Sequence, residues 1–120
     1  MRCVIIESPY AGGTELNLRY LRACMSDCWT RHESPFASHG LFTQPGVLDD
    51  TDPAQRELGI QAGFAWRRVA DATIVYTDLG ISGGMRLGIE HAVSIGHPIE
   101  YRTLPAEVLI AIRRGVAQVE

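Results

Sequence analysis

A glycine-rich turn joins an apolar strand to an amphipathic helix in the second half of the chain. The turn spans residues 78–85, with Ser82 placed to cap the helix and with Gly83 and Gly84 directly after it. Such a turn leaves backbone N–H groups unpaired at the positive end of a helix, where an anion can approach closely. We expect a phosphate or a ribose there. The alternative is that the glycines only form the turn.

A second loop with similar potential ends the first predicted strand, residues 2–7. Its sequence is Ser8-Pro9-Tyr10-Ala11-Gly12-Gly13. In a parallel sheet, ligands bind at the carboxyl ends of the strands, at the point where the strand order reverses. The two loops are therefore predicted to face each other across a crevice that holds a small ligand.

Strands and helices alternate along the chain and position both loops. Predicted strands cover residues 2–7, 34–38, 72–77 and 99–102, and predicted helices cover 14–30, 53–70, 85–96 and a last segment opened by Pro105. This order predicts an α/β fold, a Rossmann-like open parallel sheet of about four to five strands with helices on both faces. We expect one domain over residues 1–120, and the polar stretch at residues 39–53 is a candidate lid.

Helical spacing assigns an apolar face to each predicted helix. In the second helix this face comprises Leu58, Ala62, Ala65, Trp66 and Val69. Cys24 and Cys28 share a face of the first helix and are predicted to be core residues. Arg67 and Arg68 are predicted to be solvated.

Composition excludes several function classes. The net charge is −3, and all 11 basic residues are dispersed arginines, so Schiff-base lysines, Walker-type phosphate loops and a nucleic-acid duplex as partner are not expected. Three cysteines without a paired motif indicate neither a zinc site nor a disulfide framework. With no leader and no membrane-length apolar run, we expect a cytoplasmic protein with no membrane partner and no cofactor.

Several other side chains are candidates for chemistry. Tyr10 could stack on a base, and Asn17 could reach back from the first helix toward a ligand. His39 precedes the candidate lid, and a histidine side chain ordinarily titrates near neutrality, although a structural role is the more common one. The acids Asp49, Asp50 and Asp52 are a weak metal cluster, and a solvated turn with a helix cap explains them better. Arg56 could pair with Asp52 or reach a phosphate.

Taken in order, these motifs resemble small nucleoside 2-deoxyribosyltransferase-like proteins, part of the wider SLOG group of Rossmann-like domains that bind nucleotides and nucleotide-derived signals. The resemblance is strongest to short phage-type members and covers nearly the whole chain. It rests on Glu7-Ser8-Pro9-Tyr10, Asn17, Asp49-Asp50, Pro53, Arg56, Ala70-Asp71, Ser82-Gly83-Gly84-Met85, Ile89, Ala92, Gly96 and Pro98.

The resemblance implies a site for a nucleoside or a nucleoside phosphate, and it implies a homo-oligomer. The loop from Pro9 to Gly12 would pack over the base, and the turn from Ser82 to Met85 would hold the 5′-hydroxyl or phosphate. The predicted ligand-binding residues are Ser8, Pro9, Tyr10, Gly12, Asn17, Asp78, Ser82, Gly83, Gly84, Met85 and Gly88.

The chain departs from the active members at two positions. Their glutamate nucleophile corresponds to Gly88, and a second acid corresponds to Gly63. Glu90 lies two residues further on, about 200° around the helix, and is predicted to point away. Glu7 and Asp78, at the ends of two strands, are the candidate catalytic carboxylates, although a contact with ribose is the simpler role. The space left by the glycines also suggests a larger ligand, such as a dinucleotide, an ADP-ribose-like molecule or a cyclic nucleotide.

Three functions therefore stay open. The first is a protein that sequesters or senses a nucleotide signal, plausibly encoded by a phage against host defence. The second is an N-glycoside hydrolase or deoxyribosyltransferase that uses a displaced carboxylate. The third is a structural protein with a vestigial pocket. The glycine at position 88 favours the first over the second.

Overall fold

A computed structural model describes residues 1–10 and 14–115. The predicted ligand residue Gly12 lies outside them. The elements, in chain order, are β1 (Arg2–Glu7), α1 (Glu15–Thr30), β2 (Glu33–Phe36), α2 (Ser38–Leu41), α3 (Pro53–Trp66), β3 (Ala72–Tyr76), α4 (Gly83–Ser94), β4 (Ile99–Arg102) and α5 (Ala106–Arg114). Among these helices, none is long and apolar enough to cross a membrane.

The four strands form one parallel sheet in the order β2-β1-β3-β4. This confirms the predicted α/β class and the open parallel sheet with helices on both faces. The chain leaves β1 toward β2 and then returns to the other side of β1 as β3. The strand order therefore reverses between β1 and β3, and their carboxyl ends border the crevice.

Helices α1 and α5 cover one face of the sheet. Thr14 caps α1, because its hydroxyl accepts a hydrogen bond from the backbone N–H of Asn17. Cys24 and Cys28 are fully buried under this layer, as predicted. They pack in the main core with Val4, Ile6, Tyr20, Ile74 and Ile112.

Helices α2, α3 and α4 lie on the other face. The candidate lid is not wholly irregular, since residues 38–41 form the one-turn helix α2. The second strand also begins earlier than predicted, at Glu33 instead of residue 34. Asp52 caps α3 through the backbone N–H of Ala54, and Ser82 caps α4 through that of Met85.

The predicted apolar face of α3 exists, but the expectation that such a face packs in the core is wrong here. Leu58, Trp66 and Val69 are 66, 49 and 70 % exposed, and Ala62 and Ala65 are exposed as well. The inward face instead carries Ile60, Gly63, Phe64 and Arg67. The solvated position predicted for Arg67 is therefore also wrong, because this side chain is almost completely buried.

Candidate functional site

A cavity of about 490 Å³ opens at the carboxyl end of β1. Its walls are the start of the loop after β1, helix α2, the inward face of α3 and the first turns of α4. The strand order reverses between β1 and β3, and this reversal leaves a crevice at the carboxyl ends of the two strands. Helix α3 lies across this crevice without filling it.

The N-terminus of α4 forms one wall of this cavity. Gly80, with a φ of 85°, makes the turn that brings Ser82 into position. The Ser82 hydroxyl accepts the N–H of Met85 at 3.2 Å, whereas the N–H groups of Gly83 and Gly84 find no acceptor in the described part of the chain. A Cβ added at Gly83 or Gly84 would meet no atom within 4 Å. The wall is thus open to an anion.

A buried ion pair forms the floor of the cavity. The Arg67 guanidinium donates from Nη2 to Glu7 Oε2 at 2.7 Å and from Nε to the hydroxyl of Thr73 at 3.0 Å. Its Nη1 lies 3.3 Å from Nδ1 of His91, whose ring stacks on Phe64 with centroids 4.1 Å apart. Arg67 is thereby fixed on several sides, and Glu7 is its partner in the cavity.

The Glu7 carboxyl fills the space beside Gly88. A Cβ added at Gly88 would lie 2.5 Å from Glu7 Cδ, far inside van der Waals contact. Burial raises the pKa of Glu7 to about 7, although the charge and the hydrogen bond of Arg67 act in the opposite direction. Glu7 therefore changes protonation near neutral pH.

Ser8 and His39 form a second polar pair in the wall. Ser8 Oγ lies 2.8 Å from Nε2 of His39, and the Tyr10 ring meets the imidazole edge-on at 6.1 Å. Burial lowers the pKa of His39 to about 4, so the imidazole is neutral at physiological pH. Nearby, a Cβ added at Gly63 would lie 2.6 Å from the Ser38 hydroxyl, so a side chain at this position requires Ser38 to shift.

The structure brings most of the predicted site residues together. The cavity is lined by Glu7, Ser8, Tyr10, Ser82, Gly83, Gly84, Met85 and Gly88. Pro9 is buried but does not line the cavity, and Asn17 donates to the carbonyl of Tyr10 at 3.0 Å, which holds the loop. Glu90 is exposed, in agreement with its predicted direction.

Asp78 is not part of the cavity wall. Its carboxylate accepts the hydroxyl of Tyr20 at 2.8 Å and the N–H of Leu104 at 3.1 Å. These bonds tie the end of β3 to α1 and to the segment before α5. The catalytic and ligand-binding roles predicted for Asp78 therefore gain no support from its position.

Sequence reasoning missed Arg67 as a site residue. The spacing of Gly59, Gly63 and Arg67 on one side of α3 is a signal that could have found it. At the mouth, the Arg56 guanidinium lies 3.8 Å from the carboxylate of Asp50, and within the described ranges no ion pair joins it to Asp52. Within the described ranges, no group of three or more His, Cys, Asp or Glu side chains could hold a metal ion.

The fold is similar to that of a solved 2-deoxyribosyltransferase from Bacillus psychrosaccharolyticus. The two chains superpose with a TM-score of 0.63 over 84 % of this chain and 72 % of the other, at 13 % identity. This likeness establishes similarity of fold. A comparison with curated proteins finds no match to this sequence.

A family comparison covers most of the chain. Residues 2–102 match the sequence model described as "Domain of unknown function (DUF7768)". That range includes all four strands, α1 to α4 and every residue of the cavity wall. The chain therefore belongs to the DUF7768 family.

Proposed function

We propose that the cavity binds a nucleoside phosphate, with the phosphate on the N-terminus of α4. The observation that carries this proposal is the open wall at Gly83 and Gly84, which line the cavity, have backbone N–H groups without an acceptor among the described residues, and would leave an added Cβ without a neighbour within 4 Å. A helix N-terminus favours negative charge through its dipole and its unpaired donors. The fold similarity to a 2-deoxyribosyltransferase supports a nucleoside as the remainder of the ligand.

The other walls suit a ribose and a base. Glu7 is 15 % exposed, and its carboxyl can accept a hydrogen bond from a sugar hydroxyl while Arg67 holds it. Tyr10 also lines the cavity, and stacking of an aromatic ring on a base contributes about 1–3 kcal/mol. A volume of about 490 Å³ is in the range of small-molecule sites.

Binding without turnover is the function we favour. The two positions at which the resemblance implies carboxylates are Gly88 and Gly63, and neighbouring side chains crowd both. A protein of this kind sequesters or senses its ligand. Its use by a phage against host defence signalling rests on the resemblance alone and stays a prediction.

One observation favours a second function, cleavage of an N-glycosidic bond. The Glu7 carboxyl lies in the space that a side chain at position 88 would enter. A carboxyl group is therefore present close to where the resemblance implies a glutamate, although it comes from β1 and not from α4. In this function, a Glu7 oxygen bonds to the anomeric carbon, and the base leaves with the electrons of the C–N bond and a proton from water. A water molecule or a second base then releases the sugar.

Incubation with a panel of nucleoside phosphates and NAD-derived compounds separates the two functions. After denaturation, mass spectrometry measures the intact ligand and the free base. Binding without turnover predicts full recovery of the intact ligand, whereas bond cleavage predicts free base that disappears in the Glu7→Gln variant. Glu107→Gln, an exposed glutamate of α5, is the matched control. A protein that neither retains any compound in equilibrium dialysis nor releases free base from it contradicts both functions.

A further inference from the structure

A second cleft, of about 500 Å³, lies at the opposite end of α4 from the cavity. The turn after α3, the last turn of α4 and the segment before β4 border it. We call it the basic cleft, because its polar lining side chains are Arg67, Arg68, His91 and His97. Among the described residues, no aspartate or glutamate lines it. Positive charge is therefore in excess at this cleft.

Arg67 belongs to the walls of both the cavity and the basic cleft, and it fixes the proton of His91. Its Nη1 lies 3.3 Å from Nδ1 of His91. A guanidinium can only donate, so Nδ1 accepts and the proton of the neutral imidazole lies on Nε2. Burial lowers the pKa of His91, and neighbouring charges, first that of Arg67, lower it further. His91 is thus a neutral ring whose available donor is Nε2–H.

This donor of His91 is unused. Its Nε2–H group has no acceptor among the described residues, and none of the buried side-chain nitrogens in those residues lacks a partner, so Nε2 is in contact with solvent. His91 lines the basic cleft and not the cavity. Arg68 adds a guanidinium to the same cleft. Its side chain is exposed, and no ion pair joins it to another described residue.

The remaining polar groups of the basic cleft are already bonded. The hydroxyl of Thr73 accepts from Arg67 and donates to Nδ1 of His97 at 2.9 Å, and Nε2 of His97 donates to the carbonyl of Ala70 at 2.9 Å. The last carbonyls of α4 accept backbone N–H groups of the turn that follows. The cleft thus offers unused donors to an anion and no unused imidazole nitrogen to a cation.

We propose that the basic cleft binds a phosphate monoester that carries a small organic group. The Arg68 guanidinium can donate to two oxygens at once, and Nε2–H of His91 can take a third, which a phosphate has and a carboxylate lacks. Ala70, Ile95 and Pro98 complete the lining with apolar surface, and Ile95 is 49 % exposed. An apolar group of the ligand can cover this surface, and the volume leaves room for it.

The basic cleft is separate from the phosphate site proposed on α4, so the test uses the wild type and Gly84→Asp, which places a negative charge at the start of α4. NMR titrations with phenyl phosphate follow the imidazole of His91 and the backbone amides of Arg68 and Gly96. We expect saturable shifts of these signals in both proteins, whether or not the α4 site binds phosphate. Inorganic phosphate lacks the organic group and benzoate lacks the third oxygen, so each should bind at least about threefold more weakly.

A pair of matched variants tests the role of Arg68. Arg68→Gln should weaken the binding of phenyl phosphate about fivefold, whereas Arg113→Gln, at an exposed arginine of α5, should leave it unchanged. Circular dichroism reports whether each variant is folded, and the titrations of the wild type test the proposal without them. The absence of a saturable shift at His91 would overturn the proposal. So would benzoate or inorganic phosphate that binds as tightly as phenyl phosphate, or a folded Arg68→Gln variant that binds as tightly as Arg113→Gln.

Discussion

Replacing Gly88 with alanine should change stability in opposite directions in two backgrounds. In the wild type, the new Cβ collides with the Glu7 carboxyl, whose Cδ lies 2.5 Å from it, so Glu7 must move away from Arg67. A buried charge that loses its partner costs about 3–5 kcal/mol. Because Glu7 stays at the cavity wall and Arg67 keeps Thr73, we expect a loss of about 1–3 kcal/mol in the free energy of unfolding.

In a Glu7→Ala background, the collision is absent. Alanine is favoured over glycine inside a helix by about 0.5–1 kcal/mol, so the same substitution should now be neutral or stabilising. Gly88 lies within α4, where this preference applies. The two substitutions should therefore be coupled by about 1–4 kcal/mol, the difference between a loss of about 1–3 kcal/mol in one background and a gain of about 0–1 kcal/mol in the other.

Urea unfolding of the four proteins, followed by circular dichroism at pH 7, measures this coupling. The wild type, the two single variants and the double variant form a complete double-mutant cycle. Their free energies of unfolding can be compared if the four m-values are equal. If Gly88→Ala costs the same with and without the Glu7 side chain, within about 0.5 kcal/mol, the carboxyl does not occupy this space and the reasoning is refuted.

Three further predictions concern Glu7, Arg67 and Asp78. The Glu7 pKa is raised from 4.5 to about 7, so the folded state holds this proton more tightly, and the free energy of unfolding should fall as pH rises from 4.5 to 7. Urea unfolding of the Glu7→Gln variant at a series of pH values should lack this fall. Arg67→Ala should lower the free energy of unfolding by about 3 kcal/mol or more and raise the Glu7 pKa further, because the buried carboxyl loses its cation. A carbon NMR titration of the Glu7 carboxyl measures this pKa. Asp78→Ala should lower the free energy of unfolding by about 1–3 kcal/mol, since the hydroxyl of Tyr20 and the N–H of Leu104 lose their acceptor, and leave ligand affinity unchanged; weaker binding would assign Asp78 to the site.

Local signals explain why the sequence predicts the fold well. The continuous apolar runs of β1 and β3 are typical of buried parallel strands, and they border the strand reversal. The side chains of Thr14, Asp52 and Ser82 cap the helices that follow them, which fixes where α1, α3 and α4 begin.

Periodicity failed on α3 because it identifies an apolar side but not the direction of that side. The residues at 58, 62, 65, 66 and 69 satisfy the pattern of a core face, whereas the inward side contains Gly63 and Arg67 beside a cavity. A helix that borders a cavity does not need an apolar inner face. The same periodicity therefore predicts a solvated Arg67, and it gives no sign of the ion pair between Arg67 and Glu7.

The relation between Glu7 and Gly88 could not be predicted from the sequence. The two residues lie on different elements, and their contact depends on how β1 and α4 pack in the fold. The sequence shows only that position 88 lacks a side chain. The structure adds the reason for that glycine, which is the carboxyl that fills its space.

The most direct test of the central proposal is calorimetric titration with each common ribonucleoside monophosphate and with its parent nucleoside. We predict that the wild type binds at least one monophosphate about tenfold more tightly than its nucleoside, a difference of about 1.4 kcal/mol. Gly84→Asp should abolish this difference by placing a negative charge at the start of α4, with circular dichroism unchanged. Ala106→Asp, the same charge at the start of α5, should preserve it. Equal affinity for every monophosphate and its nucleoside, or tight binding that survives Gly84→Asp, would contradict a phosphate site on α4.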